Sequence, residues 1–208
     1  SNISPPRRHR QVAIHAPFRP GPVVERVVAV ADALERQRQH RRGDPRAAGG
    51  DDRTGEIDPG LAALIETEVA FQAAHWPAHL PQATIHADLF PDNVLALGDT
   101  VTGIIDFYFA CTDARAYDLA VMHGAWCFSN DGAVFYPERA AALEAGYRAA
   151  HPVTEAEAAA MPVLRRASAL RFLLTRAWDW LNTPADALVT RKDPMAFARR
   201  LIHYREAE

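Results

Sequence analysis

Lysine is all but missing from this chain of 208 residues: of its 23 basic residues Lys192 alone is a lysine, and the rest are arginine. Chemistry that needs a lysine therefore has one candidate, far downstream. Cysteine is nearly as scarce. Cys111 and Cys127 lie far apart with no C-x-x-C pair, which excludes a disulfide framework and a cysteine zinc site and fits a reducing, cytoplasmic setting. No apolar run approaches the ~20 residues needed to span a bilayer, and the first residues lack the apolar stretch of a secretion signal, so nothing calls for a membrane or for export. Positive charge is not in excess either. The formal net charge is −3, with arginine and proline concentrated in the first 55 residues and an acidic balance afterwards, which argues against a general nucleic-acid surface.

What the chain does have is 49% hydrophobic residues, enough for one sizeable domain, alone or with an appendage. Residues 1–20 mix arginine and proline without periodicity and read as irregular. Pro22 opens a helical pattern to about Arg42, with Val23, Val27, Val30, Ala31 and Leu34 on one face. The arginines at 36–46 fit a solvated helix end or a phosphate-binding patch. A Gly- and Asp-rich linker covers 43–57. The expected division is an irregular segment 1–57 and a cored domain 58–208.

Within that domain Asp58-Pro59 starts a helix carrying Leu61, Leu64, Ile65, Glu68, Val69 and Gln72, stopped by Pro77 and expected to pack beneath a hairpin further on. His75 and His79 have helical metal-ligand spacing, but Pro77 between them breaks the geometry. Downstream, Tyr117-Asp118 leads into a helix through Phe128, and Asn130-Asp-Gly132 marks a turn. Pro137 opens a helix through Ala150, and Thr154-Glu-Ala-Glu157 is a capping box. A long segment from about Pro162 to Leu181 carries the stripe Leu164, Leu170, Leu173, Leu174, Ala177, Trp178 and Leu181, and Asp193-Pro194 caps a last helix ending near Tyr204. Trp126, Trp178 and Trp180 read as core or groove wall. The predicted class is mostly helical α+β.

Residues 84–107 concentrate the oxygen chemistry. An apolar run ending at Ile85 feeds His86-Ala-Asp88, a loop with Pro91 delivers Asn93, and Val94–Leu97 returns through Gly98-Asp99 as Val101–Ile105. Pairing of those two strands brings Asp106 back beside Asp88 and Asn93. Three hard oxygen side chains at one hairpin end suit phosphoryl transfer, in which one carboxylate orients and deprotonates a hydroxyl while an amide and a second carboxylate hold Mg²⁺ on phosphates. Asp88 and Asn93 also have the D-x-x-x-x-N spacing of kinase catalytic loops. Asp88 is thus the candidate base and Asn93 and Asp106 the candidate metal ligands. The competing readings are an ordinary loop aspartate, a turn cap and a solvated hairpin-end carboxylate. Asp92 caps the loop or binds solvent.

His86-Ala-Asp-Leu-Phe-Pro-Asp-Asn93, then Gly103-Ile-Ile-Asp-Phe-Tyr-Phe-Ala-Cys111 and Tyr117-Asp-Leu-Ala120, resemble the small-molecule kinases related to aminoglycoside phosphotransferases and choline kinases, and most of all the bacterial homoserine kinases. Asp179-Trp-Leu-Asn-Thr-Pro184 and Thr190-Arg-Lys-Asp-Pro194 extend the resemblance, which runs from about 58 to 204. It implies the C-terminal lobe of a protein-kinase-like fold, ATP and Mg²⁺ as cofactors, and transfer of the γ-phosphate to L-homoserine in threonine biosynthesis. It also implies that His86 and Asp118 support the catalytic loop. Asp113, Arg115, Asn182, Arg191 and Lys192 are candidates for the homoserine ammonium and carboxylate, with no choice among them.

Such a kinase also uses a β-sheet lobe with a lysine on the nucleotide phosphates, and before residue 84 there is neither a sheet pattern nor a lysine. The accounts open at this point are a truncated homoserine kinase or one with an out-of-frame start; a non-catalytic module binding a metabolite or partner; a kinase for choline or an aminoglycoside; and a metal-dependent phosphohydrolase. Little turnover by the chain alone, and self-association through an uncovered face, are the corresponding expectations.

Overall fold

One long helix organises the residues described by this computed structural model, 53–184, 187–188 and 190–207. The elements in order are a 3-10 turn Arg53–Glu56, helix α1 Leu61–His75, strands β1 Gln82–Ile85, β2 Val94–Leu97, β3 Thr100–Ile104 and β4 Cys111–Ala114, and helices α2 Ala116–Trp126, α3 Pro137–Ala150, α4 Glu155–Asn182 and α5 Met195–Glu206. The expected helix over 22–42 lies outside the described residues.

Helix α4 starts on the capping box read from the sequence: Glu157 N–H donates to Thr154 Oγ1 at 3.2 Å and Thr154 N–H to Glu157 Oε2 at 2.9 Å. Its 28 residues then run unbroken through Pro162, where the sequence suggested one helix ending and another beginning. A proline there withdraws one N–H from the helix. Ala160, Met161 and Leu164 on either side of it are all buried, so packing holds the two halves in line. Leu164, Leu170, Leu173 and Leu174 are wholly buried, and α5, α2 and α1 pack around this axis.

Helix α1 does not lie beneath the hairpin. Its buried face, Leu61, Ile65, Glu68 and Gln72, is drawn to α4 by a buried ion pair, with Arg166 Nη2 and Nε donating to Glu68 at 2.7 and 2.9 Å and the guanidinium stacked on Phe71. Asp58 Oδ1 accepts from Gly60 N–H at 2.7 Å, so the first turn starts slightly later than its aspartate suggested. The turn at 53–56 is seated on the same body: Thr54 is buried and Arg53 donates to Leu181 O at 2.6 Å.

The strands form two antiparallel pairs nested one inside the other. β2 pairs with β3, Val94 opposite Ile104, turning at Gly98 with φ +58 and bulging between Leu95 and Ala96. β1 pairs with β4, Ile85 opposite Cys111. Cys-Thr-Asp-Ala carries little strand signal, and β4 was not expected from the sequence. Nesting has a direct consequence for the site: the segments 86–93 and 105–110 both bridge the two pairs and must face each other. Gly132, in the turn after α2, packs so tightly that a Cβ there would meet Ala196 O at 2.0 Å. Among the described residues no helix is long and apolar enough to cross a membrane.

Candidate active site

The loop 86–93 is held from three sides. From α2, Asp118 accepts both His86 N–H at 2.8 Å and Ala87 N–H at 2.7 Å, so its carboxylate serves the loop rather than its own helix start. From α4, Arg171 donates to Ala87 O. Trp126 Nε1 adds a bond to Leu89 O at 3.0 Å. Ala87 needs this grip. It is fully buried in the left-handed region, φ 62, a conformation that costs a non-glycine residue on the order of 1–3 kcal/mol.

His86 stitches the loop to the facing segment. Its Nε2 lies 2.9 Å from Ile105 O, and a carbonyl can only accept, so Nε2 carries the proton and Nδ1 accepts Asp88 N–H at 3.2 Å. Ile105 N–H donates to Asn93 O at 3.0 Å, closing the same seam from the other side. Asp106 follows, itself left-handed at φ 63.

A cleft of 290 Å³ opens over this seam, lined by Asp88, Asn93 and Asp106 together with Phe90, Asp92, Arg171, Arg176, Asp179 and Lys192, among others. The three residues grouped by sequence spacing therefore share one wall. Asn93 Nδ2 donates to Asp88 O at 2.7 Å and lies 3.3 Å from Asp88 Oδ2. That orientation leaves Asn93 Oδ1 turned away from Asp88. Neither this oxygen nor the Asp106 carboxylate has a hydrogen-bond partner among the described residues. Two such oxygens fit a magnesium ion that takes its remaining ligands from phosphate and water. Among the described residues no three His, Cys, Asp or Glu side chains form a metal cage, and His75 instead bonds and stacks within its own helix at Phe71.

Partial burial raises the Asp88 carboxyl above the ordinary range. Arg171 opposes that shift, and the negative charge of Asp106 adds to it.

The residues named for substrate recognition do not converge. Asp113 is buried in β4 with Oδ1 on Ala114 N–H. Arg115 forks onto Glu157 at 2.7 and 2.9 Å, Asn182 bonds Trp178 O, and Arg191 bonds Trp180 O. Lys192 alone of the five reaches the cleft, its Nζ 3.4 Å from Asp92 Oδ2, 100 residues away. Asp92 thus faces the only lysine of the chain, in an exposed pair of small energetic weight.

Sequence reasoning passed over Arg171, Arg176 and Asp179, all on α4. A usable signal was present for the first: an arginine amid the apolar stripe of a long helix needs a buried acceptor, and Arg171 finds it in the loop.

The sequence model of the phosphotransferase enzyme family matches residues 23–153. The chain belongs to that family. The match starts well before residue 58, so part of the N-terminal stretch left outside the resemblance lies inside it. Among curated proteins this phosphotransferase-family chain is 58% identical over 151 residues to a homoserine kinase of Methylobacterium radiotolerans, covering 73% of the chain and 47% of the relative. It is 53% identical over 154 residues to a homoserine kinase of Rhizobium johnstonii, covering 74% and 48%. The chain spans about half the length of these relatives. Among solved structures, an ethanolamine kinase of Plasmodium vivax superposes with a TM-score of 0.54 at 15% identity, over 91% of this chain and 50% of that one. That likeness concerns the fold: a mostly helical α+β, protein-kinase-like architecture, as the resemblance implied.

Proposed function

We propose that this chain carries the catalytic half of an ATP-dependent kinase that phosphorylates the hydroxyl of L-homoserine. The observation that carries the reading is the shared wall of Asp88, Asn93 and Asp106, set on a loop braced by Asp118 and Arg171. Homoserine as the substrate is supported by the curated relatives at 53–58% identity.

In this reading Asp88 accepts a hydrogen bond from the substrate hydroxyl, aligns it with the γ-phosphate and takes its proton late, as bond formation completes. The raised carboxyl makes it a better base than an ordinary aspartate. Asn93 Oδ1 and Asp106 would hold Mg²⁺, which would supply neutralisation of charge on the transferring phosphoryl group. His86 and Asp118 hold the loop, and through it the Asp88 backbone, in register. Lys192 lines the same cleft beside Asp92, where its ammonium would meet phosphate oxygens.

The test replaces the matched half of the Methylobacterium radiotolerans homoserine kinase with residues 58–204 of this chain and follows Mg·ATP-dependent phosphate transfer. Homoserine is expected to be phosphorylated in preference to choline or an aminoglycoside. Asp88→Ala is expected to lower turnover by on the order of 10²–10⁴-fold with the melting temperature kept. Unchanged turnover in Asp88→Ala would sink the assignment of the base, and preference for another alcohol would sink the substrate.

A further inference from the structure

Two side chains on the α4 side of the cleft, Arg176 and Asp179, keep most of their polar atoms open beside Asp88. Three arginines of the body spend their donors on protein. Arg200 binds Gly124 O, Ala196 O and Ser129 O at 2.6–2.9 Å, and Arg166 and Arg115 fork onto Glu68 and Glu157. Arg176 makes a single long bond, 3.3 Å, to Asp193 O while its guanidinium carbon lies 4.5 Å from the Phe197 ring centroid. Most of its five N–H donors thus have no partner among the described residues. A guanidinium held over an aromatic ring is positioned while most of its donors stay open.

Asp179 shows the same economy with the opposite sign. Glu68, Glu157 and Asp118 each accept two or more hydrogen bonds, whereas the Asp179 carboxylate has no hydrogen bond or ion pair among the described residues. It is an exposed residue of the cleft lining, where partial desolvation raises its carboxyl with no cation opposing the shift. Positions 176 and 179 are three apart on one helix and share a face. The two side chains do not pair with each other, and both line the cleft that holds Asp88.

We propose that Arg176 and Asp179 form an amino-acid subsite, the guanidinium taking an α-carboxylate and the carboxylate taking an α-ammonium, so that the side-chain hydroxyl is directed to Asp88. This rests on the homoserine reading and sharpens it: an open cation and an open anion on one face select a zwitterion over an amine-only alcohol. A carboxylate can occupy two guanidinium N–H groups at once, which a structural bracket like Arg200 could not offer. Thr175, also on the cleft wall, has turned its hydroxyl back to Arg171 O and Phe172 O and leaves the subsite to the charged pair.

The two charges can be probed separately on the chain as it stands, by calorimetric titration with L-homoserine, with 4-hydroxybutanoate, which keeps the carboxylate, and with 3-aminopropan-1-ol, which keeps the amine. Arg176→Gln is expected to weaken homoserine and 4-hydroxybutanoate by at least about tenfold and leave 3-aminopropan-1-ol within about twofold. Asp179→Asn is expected to weaken homoserine and 3-aminopropan-1-ol and spare 4-hydroxybutanoate. Each variant's retained ligand shows that its cleft is still folded, and thermal melts followed by circular dichroism check this independently. Equal weakening of all three ligands, no change in any, or no homoserine binding by the wild-type chain overturns the subsite. Phosphate transfer in the chimera judges the homoserine reading itself, so a chimera that works beside flat titrations removes the subsite alone.

Discussion

The helical body around α4 and the β2–β3 hairpin handle apolar surface in opposite ways. The body hides Leu164, Leu170, Leu173, Leu174 and Leu201 completely and buries charged groups only with partners, as at Glu68 and Arg166. The hairpin end of the molecule leaves Leu97 79% exposed, Val101 63% and Tyr108 84%. The candidate site is built on the boundary. Asp88 and Asn93 are tied to the body through Asp118, Arg171 and Trp126, whereas Asp106 is tied mainly by the hairpin ladder and the seam at Ile105. Firm placement of the proposed base and a looser hold on Asp106 follow from that asymmetry, as is useful where a metal and phosphates must enter.

Breaking the body should cost most. Glu68→Gln leaves the buried Arg166 charge uncompensated, and a loss of about 3–5 kcal/mol is expected in denaturant unfolding. A loss under about 1 kcal/mol would mean that the pair is no anchor of α1. Cutting the tie between body and loop comes next. Asp118→Asn presents an amide where two N–H groups need an acceptor, and should cost about 1–3 kcal/mol together with a fall in turnover of the chimera, because Ala87 is freed to leave its left-handed conformation. Stability lost without any loss of turnover would show the loop to be held elsewhere.

The two regions also respond to acid with opposite sign. Glu157 in the body is held down to about 2 by hydrogen bonds from Arg115 and Thr154, so its contribution is present above its ordinary value of 4.5 and is lost as pH falls toward 2. Asp88 in the cleft is raised, so whatever it contributes to stability is present at low pH and lost as pH rises through its folded value. In the proposed mechanism ionised Asp88 is the base, and the acid limb of kcat/KM should therefore lie above the ordinary aspartate range. Asp106→Asn removes a neighbouring negative charge and should move that limb to lower pH, while Arg171→Met should move it up. A limb that ignores both substitutions belongs to another group. The smallest effect is expected on the hairpin: Leu97→Ser should shift stability by less than about 0.5 kcal/mol, and a larger loss in a thermal melt would mean that this side chain is covered.

Local chemistry made much of this legible. Pro137 at a helix start, the reciprocal cap of Thr154 and Glu157, and the Asp193 oxygen on Met195 N–H each involve residues a few positions apart, and each was readable as such. The convergence of Asp88, Asn93 and Asp106 was legible for a related reason, because a tight hairpin fixes which residues return beside which. Where the competition was between a local rule and tertiary packing, the local rule failed. Pro162 did not end a helix whose two halves share one buried stripe, and α1 went to Arg166 instead of the hairpin.

By itself, then, the sequence determined the spacing of Asp88, Asn93 and Asp106 and the caps that start the later helices, since short-range backbone geometry follows from neighbouring residues. Only the tertiary structure decided that β4 closes over β1, that Asp118 and Arg171 grip Ala87, and that Arg176, Asp179 and Lys192 line the cleft with Asp88. Those pairings join residues tens of positions apart. What fixes them is the burial of the α4 stripe, to which many side chains contribute and which no short segment encodes.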